Sequence, residues 1–162
     1  MKPTRIFSLL MCTLAIAGCA TGYQEPSQTD AATLTFRTAG DFTAQAAIYG
    51  GAAECTDRHL LPVMDGKQDL SRKIIPGKPL SFSMTYSKNL VLVERFCVDT
   101  LTFTPAADHR YTASLSVTDG ECHINLTDIG TANAPVNPPK VVESLQHKWK
   151  RAMMESGPFC GS

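Results

Sequence analysis

Tyr111-Thr112-Ala113-Ser114-Leu115-Ser116-Val117-Thr118-Asp119-Gly120-Glu121-Cys122-His123-Ile124-Asn125-Leu126-Thr127-Asp128 is the stretch whose reading decides the fold. Tyr111, Ala113, Leu115 and Val117 alternate with hydroxyl residues, the period of two that a half-buried strand requires. Cys122, Ile124 and Leu126 repeat the pattern against His123, Asn125 and Thr127. Asp119-Gly120 between them is a strong hairpin signal, because a tight primed turn needs positive φ. Upstream, Leu101 and Phe103 alternate with Thr102 and Thr104 until Pro105 ends the run. The three runs read as a meander that goes up, down and up.

Working outward, Leu34 and Phe36 predict a first strand, and Ala39-Gly40-Asp41 turns the chain into residues 43–49, where Ala44, Ala46 and Ile48 face inward. Gly50-Gly51 is expected to break that strand. Residues 52–69 carry Glu54, Cys55, Asp57, Arg58, His59, Pro62, Asp65 and Gly66 and read as a long loop with at most one helical turn. A short strand over 70–75 stops at Pro76-Gly77-Lys78-Pro79. Leu80, Phe82, Met84 and Tyr86 then alternate with Ser81, Ser83, Thr85 and Ser87, a clear strand. Residues 89–98 are apolar at both parities, as in a strand buried on both faces or one that changes face at a bulge. Seven or eight short strands predict a mainly β domain, an antiparallel β-sandwich of immunoglobulin-like or transthyretin-like type. Tyr111 also resembles the tyrosine of a Greek-key corner, although its spacing from Pro105 favours a plain core tyrosine.

The chain of 162 residues suits one domain, and 43% hydrophobic content is enough for a core. Fifteen basic residues balance fifteen acidic ones, and loss of a leader holding Lys2 and Arg5 leaves a slightly acidic chain. Such a balance supplies no basic field for nucleic acid.

Lys2 and Arg5 form a basic head, and Ile6 to Ala17 an apolar stretch of signal-peptide length, too short for the ~20 residues that span a bilayer. It ends in Ile16-Ala17-Gly18-Cys19, which resembles the lipobox of bacterial lipoprotein precursors. The resemblance implies cleavage before Cys19 and acylation of Cys19, with palmitate among the attached lipids. Ala20 rather than Asp at the next position implies the outer membrane. Residues 19–32 are polar and read as a flexible tether.

After Ile129 the composition changes. Pro135, Pro138 and Pro139 make residues 130–139 an extended linker. From Lys140 to Glu155, Val141, Val142, Leu145, Trp149, Ala152 and Met153 fall on one helical arc of roughly 120°, which predicts an amphipathic helix stopped by Gly157-Pro158. That helix is expected to pack on its own domain, with Trp149 buried near Ile124 and Leu126; lying on a membrane or a partner is the alternative. The organisation expected is a signal peptide over 1–18, a tether over 19–32, the sandwich over 33–129, a linker over 130–139, and helix and tail over 140–162.

Of six cysteines, Cys12 leaves with the leader and Cys19 is lipidated, so Cys55, Cys97, Cys122 and Cys160 are the disulfide candidates of an exported chain. In a flat meander Cys97 and Cys122 would stand two strand spacings apart, about 9.6 Å. A disulfide needs Cα atoms within ~7 Å. Cys55–Cys97 with Cys122–Cys160 is therefore the expected pairing.

Motifs that carry chemistry are sparse. No phosphate loop, dinucleotide fingerprint, Gly-x-Ser-x-Gly elbow or Cys-x-x-Cys is present. Asp57 and His59, in Glu54-Cys55-Thr56-Asp57-Arg58-His59, could hold a metal or orient a base with His123 or His109, yet a metal needs three or four converging ligands. They read first as polar residues beside a disulfide, with no catalytic residue and no cofactor implied. Pro76-Gly77-Lys78-Pro79-Leu80, Cys97, Phe103-Thr104-Pro105, Tyr111 and Cys122 together are similar to small uncharacterised proteobacterial envelope lipoproteins. That similarity implies an exported, disulfide-stabilised β-domain held to the membrane through the lipid on Cys19. The function expected is a non-catalytic interaction or accessory module with an envelope protein as partner. A metal-dependent binder or enzyme using residues 54–59, or an inhibitor of a secreted enzyme, is the alternative.

Overall fold

Alternating apolar residues become the inner faces of two sheets. The computed structural model describes residues 22–66, 68–90 and 93–161; the expected leader and Cys19 lie outside them. The strands are β1 (Ala32–Thr38), β2 (Ala44–Gly51), β3 (Thr56–Met64), β4 (Leu70–Ile74), β5 (Leu80–Leu90), β6 (Val93–Phe103), β7 (Arg110–Thr118), β8 (Glu121–Gly130), β9 (Pro135–Val141), β10 (Leu145–Gln146), β11 (Lys148–Trp149) and β12 (Cys160–Gly161). One sheet has the order β4-β1-β7-β8-β9, the other β10-β6-β5-β2-β3, and β11 pairs with β12 alone. Pairing is antiparallel except between β1 and β7, which run parallel.

Asp119 and Gly120 take φ of 55° and 86°, and the expected β7–β8 hairpin folds around them with Val117 opposite Cys122 and Leu115 opposite Ile124. Leu34, Phe36, Ala113, Leu115 and Leu126 of the first sheet meet Ala46, Ile48, Phe82, Met84, Leu101 and Phe103 of the second in one buried cluster. Edge-to-face ring contacts cross between the sheets at Phe36–Phe82 (5.6 Å) and Phe103–Tyr111 (5.0 Å). Two sheets enclosing one core are consistent with a β-sandwich. Tyr111 does make the corner contact: its hydroxyl accepts the Ala106 N–H at 2.9 Å.

Several expectations fail because long-range partners intervene. Residues 56–64 form β3 rather than a loop, because β2 supplies an antiparallel partner, and Pro62 is tolerated since β3 is an edge strand. Gly51 stays within its strand, and the Thr56 hydroxyl occupies the place a Cβ would take, so a larger residue there would require Thr56 to turn away. The apolar run 89–98 is divided between the end of β5 and the start of β6, which continues unbroken to Phe103. Residues 22–31 are not a free tether: the half-buried Tyr23 packs against the core and its hydroxyl donates to the Lys73 carbonyl at 2.9 Å.

The meander also fails, and the disulfide pairing fails with it. After β6 the chain changes sheet, so β6 and β7 are not neighbours. Strand spacings within a sheet therefore do not separate Cys97 from Cys122. They face each other across the gap between β6 and β8, bonded, with Cα atoms 5.5 Å apart. Cys55 is bonded to Cys160, with Cα atoms 5.2 Å apart. Asp99, two residues from Cys97 and only 4% exposed, reaches the same gap. Its carboxylate accepts the Ile124 N–H at 2.7 Å and the Gln146 side-chain amide at 3.0 Å.

No helix forms in the C-terminal segment, and among the described residues none is long and apolar enough to cross a membrane. Two open sheet edges outcompete the helix. The expected linker becomes β9 on the edge of β8, and Val142 N–H donates to Leu126 O at 3.0 Å. After residues 143 and 144 the chain pairs with β6 instead, Leu145 opposite Thr102 and Gln146 opposite Leu101. The apolar arc is not buried as a unit: Val141, Leu145 and Met153 are 67%, 61% and 102% exposed.

Non-reducing peptide maps are expected to recover Cys97 with Cys122 and Cys55 with Cys160; a Cys55–Cys97 peptide would contradict this architecture. Asp99→Ala removes a charged acceptor from two donors and is expected to cost about 2–3 kcal/mol in urea unfolding. Asp99→Asn, which keeps one acceptor oxygen, should cost less.

Candidate functional site

The outer face of the second sheet is where side chains of distant elements converge. On β5, Ser81 and Ser83 point outward, yet they are 0% and 3% exposed. Small hydroxyl residues let other backbone lie close over the sheet. Ser81 Oγ donates to the Ala52 carbonyl at 2.6 Å and also bonds Thr102 Oγ1, which in turn meets His147 Nε2 at 2.7 Å. With the Ser81 proton committed to Ala52, Thr102 must donate to Ser81, and His147 must therefore carry its proton on Nε2. Further along, Ser83 Oγ and the Tyr49 hydroxyl are 2.9 Å apart. Burial raises the pKa of Tyr49 above its ordinary value, opposed by hydrogen bonds from Ser83 and Trp149.

Residues 147–161 form a strap over this face. Trp149 pairs with Cys160 across the β11–β12 ribbon, and Phe159 N–H is shared between the carbonyls of Glu54 and Cys55. Tyr49, Cys55, Phe159 and Cys160 make a second buried cluster, with Trp149 and Ala152 against it. At the sheet edge Arg58 N–H donates to the Glu155 carbonyl at 2.8 Å. The Arg58 guanidinium also binds the Glu155 carboxylate through two bonds of 2.6 Å, while its carbon lies 4.3 Å from the Phe159 ring centre. Those bonds hold the Glu155 carboxyl below the usual carboxylate range. Cys55 and Asp57 take φ of 51° and 56°, left-handed values that non-glycine residues adopt only when their surroundings hold them there.

Beyond the ribbon the sheet face stays open. A groove of about 480 Å³ runs between the strap and strands β2, β3, β5 and β6. Its floor carries Leu60, Phe96 and Val98, with Leu60 46% and Phe96 56% exposed. Trp149, which stands edge-on to Phe96 at 6.2 Å, and Met153 form the wall. Arg151 also lines it, exposed, and has no acidic partner among the described residues. Apolar surface beside a cation suits binding, while the disulfide and the Arg58–Glu155 pair keep the wall in place.

The residues singled out in the sequence for catalysis or metal binding do not converge. His59 lies 3.2 Å from Asp57 on β3. His109 pairs with Asp128 at 2.8 Å in the other sheet, and His123 stands 3.8 Å from Glu121 beside the β7–β8 turn. Among the described residues no group of three His, Cys, Asp or Glu side chains could hold a metal ion. Trp149 is half-buried, against Phe96 and Phe159 rather than Ile124 and Leu126. Sequence reasoning did not reach Phe96, Arg151 or Glu155. Phe96 was legible only as one position of a run apolar at both parities, and Glu155 finds Arg58 across 97 residues, a separation that leaves no local signal. No family model, curated protein or solved structure matches the chain.

Because the Glu155 carboxyl is depressed in the folded state, its contribution is present above the unfolded carboxylate range and is lost as pH falls through the lower folded value. The pair is half open to solvent, with Glu155 61% exposed, so the effect is on the order of 0–1 kcal/mol. Acrylamide quenching of Trp149 is expected to stay level from neutral pH down to about pH 5 and to rise in stronger acid, below the ordinary carboxylate pKa. Glu155→Gln should show the raised quenching at every pH and no acid step; a step retained in that variant would assign the transition elsewhere.

Proposed function

We propose that this chain is a lipid-anchored protein of the cell envelope and a non-catalytic interaction module, which takes an extended segment of a partner polypeptide into the groove beneath the strap. The observation that carries the reading is the juxtaposition of Leu60, Phe96, Val98 and Met153 in that groove with Arg151, which has no acidic partner among the described residues. An apolar side chain desolvates the floor, and a carboxylate meets the cation, so the matching segment carries a bulky apolar residue close to Asp or Glu. The lipobox at Ile16-Ala17-Gly18-Cys19 supports anchoring, on the outer membrane by the nature of Ala20. Two disulfides support residence in an oxidising compartment.

Strand order supports the transthyretin-like alternative for the fold. In the immunoglobulin order the first strand lies beside the second. Here β1 lies between β4 and β7, and β2 belongs to the other sheet.

Selection of random peptides on the purified domain is expected to enrich extended sequences with an aromatic or aliphatic residue near a carboxylate. Phe96→Asp should abolish that enrichment, and Arg151→Glu should turn the charge preference to Lys and Arg. Enrichment indifferent to both substitutions would place recognition elsewhere, and no enrichment would overturn the groove as a peptide site. For the anchor, Cys19→Ser is expected to remove the acyl mass and release the protein from the membrane fraction; unchanged mass and fractionation would refute acylation.

A further inference from the structure

We infer that the domain stands on the membrane in one orientation, with the end of the two sheets that carries Tyr23 and the Pro76–Pro79 turn against the lipid surface. The inference rests on the acylation of Cys19 proposed above and concerns what that lipid touches. Between Cys19 and Tyr23 the sequence has only Ala20, Thr21 and Gly22. Four Cα steps reach at most about 14 Å. From Tyr23 onward the chain is committed to the domain. The Tyr23 ring packs against the core and meets His59 edge-on at 6.3 Å, and its hydroxyl holds the Lys73 carbonyl. Glu25 lies 3.8 Å from Arg72, and the Asp108 N–H donates to the Asp30 carbonyl at 3.0 Å. A leash this short cannot hold a folded domain away from the bilayer.

The end beside Tyr23 is shaped for that contact. Tyr23 lines a shallow pocket with Ile75, Lys78, Pro79 and Leu80. Ile75 is 43% exposed, and Lys78 and Pro79 are exposed beside it. Exposed Glu54 and Asp57 on the neighbouring hairpin offset Lys73 and Lys78, so the leash rather than a basic field sets the orientation. Strand β5 begins here at Leu80 and reaches the groove at Thr85 and Ser87. Five to seven residues at ~3.4 Å each raise the groove about 20 Å above the lipid. The partner segment is therefore met at that height and not at the bilayer surface.

The test uses full-length acylated protein, purified from membranes and returned to phosphatidylethanolamine–phosphatidylglycerol vesicles with brominated acyl chains. In a Trp149→Phe background, one variant carries Ile75→Trp and a second carries Glu121→Trp at the opposite end. Bromine should quench the Ile75→Trp probe several-fold more strongly than the Glu121→Trp probe. Adding Tyr23→Ala, which lengthens the leash, should cut the quenching of the Ile75→Trp probe while the acyl mass and membrane association persist. Equal quenching at the two probes, or quenching indifferent to Tyr23→Ala, would overturn the orientation with acylation intact. Protein recovered from membranes without acyl mass on Cys19 would instead overturn the anchoring reading itself.

Discussion

Two sheet edges, those of β6 and β8, leave backbone groups facing one another across the same side of the core, and the rest of the structure answers that exposure. A buried edge with unpaired N–H and C=O groups costs as much as lost hydrogen bonds. Asp99 resolves part of it with one carboxylate, accepting a backbone N–H from β8 and an amide from Gln146. Cys97–Cys122 fixes the two strands covalently at the same place. The C-terminal segment completes the closure by pairing first with β8 and then with β6. Closing the gap also protects an edge that would otherwise recruit another chain.

Once committed to that closure, the chain emerges on the outer face of the second sheet. The hydroxyl residues of β5 and β6 allow it to lie close, and Tyr49, Phe159 and Cys160 bury against one another there. The strap covers one half of the face and walls off the other, so the open groove is a by-product of how the edges were sealed. Its rigidity comes from a bond between residues 105 positions apart, Cys55 and Cys160, and from Arg58, which serves Glu155 and the Phe159 ring together. Recognition on this protein would thus depend on the tail as much as on the sheet.

The N-terminal segment shows the same coupling at the other end. Composition gave residues 22–31 no reason to be ordered, since Gly, Gln, Pro and Ser dominate them. One aromatic residue, Tyr23, with a burial site and a carbonyl acceptor, is enough to order the segment. Under the lipid anchoring proposed above, the length of free chain between Cys19 and the domain would turn on that contact.

By itself the sequence determined whatever depends on neighbours along the chain. The period of two gave β1, β2, β5, β7, β8 and the end of β6; Asp119-Gly120 gave the β7–β8 turn; the leader motif gave the expectation of a lipid anchor. Tertiary structure alone decided what depends on partners far apart. β3 exists because β2 is beside it; Val141 and Leu145 lie in extended chain because two sheet edges offered hydrogen bonds that a lone helix of that length could not match, and Trp149 because Cys160 pairs with it. The disulfides pair as they do because the chain changes sheet after Phe103, a choice of layer that no local pattern encodes. Side-chain periodicity reports which face of a strand is apolar; it carries no information on which sheet the strand joins, and the groove is built from that information.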